Sequence, residues 1–163
     1  MAYADFNFYY NNYFGDVLSS TEANRWLERA SDELDRLTFG RLTNNFPTDQ
    51  NGVIKVKKAV CAVAEALYLV DAQRKSVTAT KDEDGQYKGA ITSIKSGSES
   101  ITFAAGGASS SIYAAAAASS SDEQTLVSSI AAKYLANVED CNGINLLYAG
   151  EVRYYVQQND NTI

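Results

Sequence analysis

The chain has 163 residues, 45% of them hydrophobic, with 14 basic against 20 acidic side chains for a formal charge of −6. Its pI near 4.6 argues against a protein that neutralises nucleic-acid phosphates with a basic face. It contains no histidine, which removes Ser-His, Cys-His and His-metal constellations together.

The length suits one domain and buries enough surface to fold without a covalent staple. Cys61 and Cys141 form neither a zinc spacing nor a disulfide framework, so both are expected as free thiols. Apolar runs such as 59–64 fall far short of the roughly 20 residues that span a bilayer. The opening MAYADF lacks a basic stretch followed by an apolar one, so no signal peptide is expected. The expectation is a soluble, intracellular, non-enzymatic chain with no catalytic residue, cofactor, metal or membrane contact. Charge is uneven: residues 1–80 carry 9 basic and 10 acidic side chains, residues 81–163 carry 5 and 10. The second half is therefore ill suited to gripping a polyanion.

In chain order, the first fourteen residues hold seven aromatics: Tyr3, Phe6, Phe8, Tyr9, Tyr10, Tyr13 and Phe14. Exposed rings invite association. The segment either covers its own domain or lends rings such as Phe8, Tyr9 and Tyr10 to a neighbouring chain, since interfaces favour aromatics. A helix is expected over 20–37. Ser19 and Glu22 stand in capping-box relation, Ala23, Trp26, Leu27, Ala30, Leu34 and Leu37 recur at helical spacing, and Gly40 follows as a stop. Residues 43–52 read as a polar loop around Pro47, the only proline.

The second helix, 53–74, has no Gly or Pro and is apolar over more than one face, the mark of a central buried helix. Leu67 is expected in its core. Glu65 and Asp71 are the carboxylates nearest its apolar stripe. As an isolated pair on a helix they read as surface or ion-paired groups before they read as catalytic ones. Cys61 reads as a small hydrophobe.

Residues 76–89 are polar and include the acidic run Asp82, Glu83 and Asp84. Alternation over 90–105, broken by Gly97-Ser98, predicts a β-hairpin in which Ile94, Ile101 and Phe103 are more apolar than a free hairpin tolerates. Residues 104–121, rich in Ala and Ser, read as a flexible linker in which 114–118 can form a helical turn if docked. Hairpin and linker together are expected to lie against a neighbouring subunit. A third helix is expected over 121–138, on the stripe Leu126, Val127, Ile130, Ala131, Tyr134, Leu135 and Val138. The end, 151–163, offers Val152, Tyr154, Tyr155 and Val156 as a strand-prone stretch suited to another chain's sheet edge or groove. The fold class expected is mainly α: a small helical bundle over 1–150 with an inserted β-hairpin arm, extended termini and a C-terminal extension.

Several segments, in order, resemble the head-tail connector (adaptor or head completion) proteins of tailed bacteriophages and prophages. They are FYYNNYFG at 8–15, LERASDELDRLTFGRL at 27–42, VKKAVCAVAEALYL at 56–69, ITSIKSGSESITFA at 91–104, IAAKYLANV at 130–138 and LLYAG at 146–150. Stretch 104–121 and the tail after Gly150 depart from that pattern. The resemblance implies a homo-oligomeric, usually dodecameric ring with no catalytic residues. Such a ring docks on the portal protein, meets a stopper or tail-side neck protein, and extends the channel for double-stranded DNA without sequence-specific binding. It also implies assembly in the host cytoplasm and residence in the virion neck. An acidic lumen would let DNA slide. The tail is then expected to dock on the portal. The alternatives are another neck component, such as a stopper or tail completion protein, or a soluble helical interaction module. The arginines of the first helix, countered by Glu22, Glu28, Asp32 and Asp35, make a DNA-binding regulator a poor fit.

Overall fold

The computed structural model describes residues 2–77, 80–81, 87–88, 93–96, 99–102 and 111–149, with side chains described for 2–75 and 111–149. The protein is mainly α-helical. In chain order come α1 (Phe6–Phe8), a π-helical turn (Tyr9–Tyr13), α2 (Ser20–Leu37), α3 (Arg41–Asn44), α4 (Gln50–Val77), α5 (Ile112–Ala118) and α6 (Ser120–Leu135). Among the described residues no helix is long and apolar enough to cross a membrane.

The centre is α4. Asp49 starts it: its carboxylate accepts from the Gly52 N–H at 2.7 Å and its carbonyl from Val53 at 3.0 Å. That puts the first turn earlier than the apolar pattern implies, inside the expected loop 43–52, and α3 claims the other end of that loop. Val56, Ala59, Val60, Cys61, Val63, Ala64, Ala66 and Val70 are all buried. Apolar positions on more than one side of a helix demand partners on more than one side. These are α2, α6, α5 and the N-terminal π-turn.

On α2 the buried set is Ala23, Trp26, Leu27, Ala30, Ser31 and Leu34, the expected stripe with Ser31 added and Leu37 only partly buried. The Ser31 hydroxyl is satisfied by donating to the Leu27 carbonyl at 2.8 Å. The helix ends as Gly40, at φ +72°, donates its N–H to the Asp35 carbonyl at 2.9 Å. On α6, Val127, Ala131 and Leu135 are buried. The chain then folds back so that Leu146, also buried, donates its N–H to the Val138 carbonyl at 2.9 Å.

Within the linker expected over 104–121, the helical turn expected at 114–118 on docking is present and longer, while the reading of 112–118 as flexible is corrected. Residues Ile112–Ala118 form α5, which lies on α4 and α6 of its own chain. Five consecutive alanines bring helix propensity with no side-chain bulk, so the short helix sits close to its neighbours. The Ser111 hydroxyl accepts from Tyr113 N at 3.3 Å at its start. At its end, Arg74 from α4 donates to the Ala116 and Ala117 carbonyls at 3.3 and 3.2 Å and pairs with Glu123 of α6 at 2.6 Å. One guanidinium thus satisfies carbonyls that a helix end leaves open and ties three helices together.

Between α4 and α5 the backbone pairs β1 (Thr80–Lys81) with β2 (Tyr87–Lys88) and β3 (Ser93–Ser96) with β4 (Glu99–Thr102), all antiparallel, with Ile94 opposite Ile101. Phe103 and the segments that join these ladders to the bundle lie outside the described residues, as do Gly150 and the extension 151–163. The arm expected over 90–105 therefore stays a proposal.

Leu67 is only partly buried, whereas Leu27 is fully so, which corrects the expectation of a core role for Leu67. Leu27→Ala should cost about 2–5 kcal/mol, and Leu67→Ala clearly less. Denaturant unfolding of the two variants checks this, and equal losses would contradict the placement.

Candidate interaction surface

The N-terminal aromatics divide into one buried ring, several half-buried ones and an outward set. Asp5 caps α1 by accepting from Phe8 N at 2.8 Å. The π-turn then stacks Tyr9 on Tyr13 and Phe6 on Tyr10, with ring centroids 5.9 and 6.0 Å apart. Tyr9 is wholly buried. Its hydroxyl donates to Glu65 Oε1 at 2.8 Å and accepts from the Val17 and Leu18 N–H groups at 2.9 and 3.0 Å. Tyr13 donates to the other Glu65 oxygen at 3.2 Å. Gly15 lies against the Tyr9 ring, where a Cβ would collide with the ring and its hydroxyl. Only glycine fits that approach.

Burial pushes the Tyr9 phenol up to about 12, with the Glu65 carboxylate adding and the Leu18 N–H opposing. Burial, followed by the charge of Glu65, also pushes Tyr13 up. Tyr3 rises to about 12, by burial and by donating to Asp35 at 2.6 Å. Burial likewise takes the Cys61 thiol up to about 12. The phenols are therefore held as donors and the thiol as a neutral hydrophobe, which makes this cluster a clamp rather than a proton relay.

The outward set is Phe14, Tyr10, Phe39 and Tyr148, which are 80%, 62%, 62% and 53% exposed. Phe14 and Phe39 both stand on left-handed backbone, φ +61° and +55°. A bulky non-glycine residue takes that conformation at a cost of order 1–3 kcal/mol. Arg41 sits over the Tyr148 ring, 5.9 Å from its centroid, and donates to the Tyr148 carbonyl at 2.9 Å. Phe39 is two residues away in sequence, so the end of α2, the start of α3 and the last described turn present rings on neighbouring segments.

Of the residues expected at interfaces, Tyr9 is corrected. It belongs to the chain's own core, because its hydroxyl is the one group that can satisfy Val17, Leu18 and Glu65 together. Phe8 is half-buried, its ring 5.3 Å from the Lys57 ammonium, and Tyr10 faces outward. Residues 6–13 are helical and the N-terminal aromatics are laid on the bundle, which corrects the expectation of an extended N-terminus. Of Ile94 and Ile101 the structure describes only the backbone, and Phe103, Val152, Tyr154, Tyr155 and Val156 lie outside the described residues. Glu65 and Asp71, the carboxylates weighed for catalysis, have separate partners: Glu65 holds the two phenols and Asp71 pairs with Lys75 at 2.7 Å. Among the described residues no group of three or more Cys, Asp or Glu could hold a metal.

A cleft of about 310 Å³ between α2, α4 and α6 is lined by Trp26, Arg29, Asp71, Arg74 and Glu123 among others. Arg74 and Glu123 pair across it, and Asp71 pairs with Lys75 outside it. The sequence pattern counts Phe14 among the N-terminal aromatics without singling it out, and does not mark Phe39 or Tyr148 as surface rings. The signal available was an aromatic directly before Gly15 and before Gly40, both at helix ends where a left-handed residue is common.

Comparison with protein-family models, with curated proteins and with solved structures yields no match for this chain.

Two predictions follow from the clamp. Each buried phenol has a folded value above the ordinary tyrosine value of about 10. Its contribution to stability is full below that pH and is lost as pH rises toward 12. Stability should therefore fall between about pH 10 and 12, and Tyr9→Phe should flatten the fall. At neutral pH the same variant leaves two N–H groups unsatisfied and should lose about 1–3 kcal/mol. Urea titrations at pH 7, 10 and 11.5 read both effects. Separately, Cys61 is buried and Cys141 exposed, both as free thiols. A thiol reagent should label one cysteine in the native protein and two after unfolding, without reductant.

Proposed function

We propose that the chain is a structural neck protein of a tailed phage. It forms a homo-oligomeric ring that docks on the portal and carries the DNA channel toward the tail. The ordered series of connector-like segments supports this reading. The structural observation that carries it is the outward set of rings, two of them on left-handed backbone. Exposed aromatics and backbone strain both burden a lone subunit, and burial between subunits offsets both.

In this reading Phe14 and Tyr10 face one partner, and Phe39 with Tyr148 another. The hairpin arm over 90–105, through Ile94, Ile101 and Phe103, reaches a neighbouring subunit. The extension 151–163 docks on the portal through Val152, Tyr154, Tyr155 and Val156. A stopper or tail-side protein caps the ring. DNA passes without sequence-specific contact because the net charge of −6 repels phosphate. The protein assembles in the host cytoplasm and ends in the virion neck.

Portal-bearing, DNA-filled heads that lack the neck, mixed with the purified chain, should gain a ring visible by electron microscopy and become competent to join tails. Phe14→Ser and Phe39→Ser should each lower joining at least tenfold while leaving the melting temperature nearly unchanged. Heads that bind no ring, or variants that join tails at the parent rate, would overturn the reading.

A further inference from the structure

Asparagine is a labile residue, and most of all before glycine. Its side-chain carbonyl carbon can close a five-membered ring with the next backbone nitrogen, and glycine puts no Cβ in the way of that approach. The pair Asn-Gly occurs twice in the sequence, at Asn51-Gly52 and at Asn142-Gly143. The fold treats the two differently. Asn51 and Gly52 lie in the first turn of α4, and Gly52 is buried. The Gly52 N–H donates to Asp49 Oδ1 at 2.7 Å, and a carboxylate on an N–H opposes loss of its proton. Helical backbone, with ψ near −42°, also turns the next nitrogen well out of line with the side chain it would attack. Asn142 and Gly143 are instead exposed, with Gly143 at φ +77°, in the turn that brings Leu146 back to the bundle. The Gly143 N–H donates to a neutral carbonyl, that of Asp140, at 3.0 Å. Such a bond in an exposed turn opens far more readily than one in a core helix. Asp140 organises this turn. It is buried, its Oδ1 accepts from the Asn142 and Ile144 N–H groups at 2.8 and 3.0 Å, and its own N–H donates to the Ile144 carbonyl at 2.8 Å.

We propose that Asn142 is a self-modification site, which deamidates in the folded protein while Asn51 is protected, and that the isoaspartate formed there unfastens the turn. The Gly143 nitrogen gives its proton to hydroxide and attacks the side-chain carbonyl carbon of Asn142. The new C–N bond closes a cyclic imide. The bond to the side-chain nitrogen breaks, and that nitrogen takes a proton from water and leaves as ammonia. A second water opens the imide at either carbonyl. One opening gives aspartate and the other isoaspartate, whose main chain runs through the former side-chain methylene. In sum one water is consumed and one ammonia released, with no change of oxidation state. Either product places a new negative charge beside Glu139 and Asp140, in a chain already at −6. Isoaspartate also lengthens the main chain by one carbon inside the span that Asp140 bridges, so the one carboxylate oxygen has to release an N–H group. Two attachments hang on this turn. The Cys141 N–H donates to the Asn45 carbonyl at 3.3 Å, and the N–H of buried Leu146 donates to the Val138 carbonyl at 2.9 Å. Tyr148, the outward ring beneath Arg41, follows two residues later, so conversion loosens the seat of that ring.

The test uses the full purified chain, kept warm at pH 7 and at pH 8.5, native and in urea, and then digested with trypsin. Cleavage after Lys133 and Arg153 releases Asn142 in one peptide, and cleavage after Arg41 and Lys55 releases Asn51 in another. In the native protein the Asn142 peptide should gain about one dalton and split into aspartate and isoaspartate forms at least tenfold faster than the Asn51 peptide. Fragmentation of each peptide locates the change. The rate should rise with pH, because the attacking nitrogen has to lose its proton. In urea the two sites should convert at similar rates, since the helix and the turn that distinguish them are gone. This comparison needs no variant. Asn142→Gln, whose longer side chain does not close the five-membered ring, should abolish conversion at 142. The aged, isoaspartate-bearing protein, separated by anion exchange, should melt below both the fresh parent and Asn142→Asp, which adds the charge without the extra carbon. Equal native rates at the two sites, or a native Asn142 that stays intact while the unfolded chain converts, overturns the site. Aged protein that melts together with Asn142→Asp overturns the unfastening of the turn.

Discussion

A long helix that is apolar on more than one side has to be covered on more than one side, and that requirement organises this protein. A single amphipathic partner covers one stripe of α4 and leaves the others wet. The chain meets the demand with α2, α6, α5 and the N-terminal aromatic segment, four pieces drawn from both ends of the sequence. The covering helices differ in kind because the remaining gaps differ. Leucine and tryptophan fill the wide contact with α2, while α5 uses alanines where the helices run close. Arg74 on one side and Glu65 on another hold the cover in place through charged groups at the rim of the apolar region.

Much of this was legible in the sequence wherever periodicity was strong. The stripe on α2, the apolar breadth of α4 and the stripe on α6 each set an element whose position the structure keeps within a few residues. Legibility was partial where a long-range partner decides the local state: a helical turn over 114–118 was open only on docking. Residues 112–118 have the composition of a linker, and they are helical because Arg74, some forty positions earlier, meets the carbonyls at their end and because α4 and α6 supply a surface. Composition describes the unpartnered chain, and a docked segment is not unpartnered.

The candidate site shows the same division. Seven aromatics in fourteen residues announce that something must cover them or be covered by them. They do not say which ring goes inward. That is settled by Gly15, whose missing Cβ leaves space for the Tyr9 ring, and by Glu65, which accepts from Tyr9 and Tyr13 at once. Tyr10 and Phe14 are left outward by elimination. The left-handed backbone at Phe14 and Phe39 has no signature beyond the glycine that follows each.

The sequence has a single tryptophan, and it sits at the joint between the two largest helices. Trp26 is buried, meets Tyr68 of α4 edge-on at 5.9 Å, and has the guanidinium groups of Arg25 and Arg29 at 4.7 and 5.0 Å from its ring. Its indole N–H has no hydrogen-bond partner among the described residues. The molecule therefore carries its own optical gauge. All indole emission comes from one place, in a water-poor setting flanked by fixed positive charge, and it reports the separation of α2 from α4 and little else. Any binding event that pries that joint open shifts the emission to the red, and one that engages only the outer rings leaves it still, so fluorescence alone distinguishes a subunit that rearranges on docking from one that docks as a rigid body.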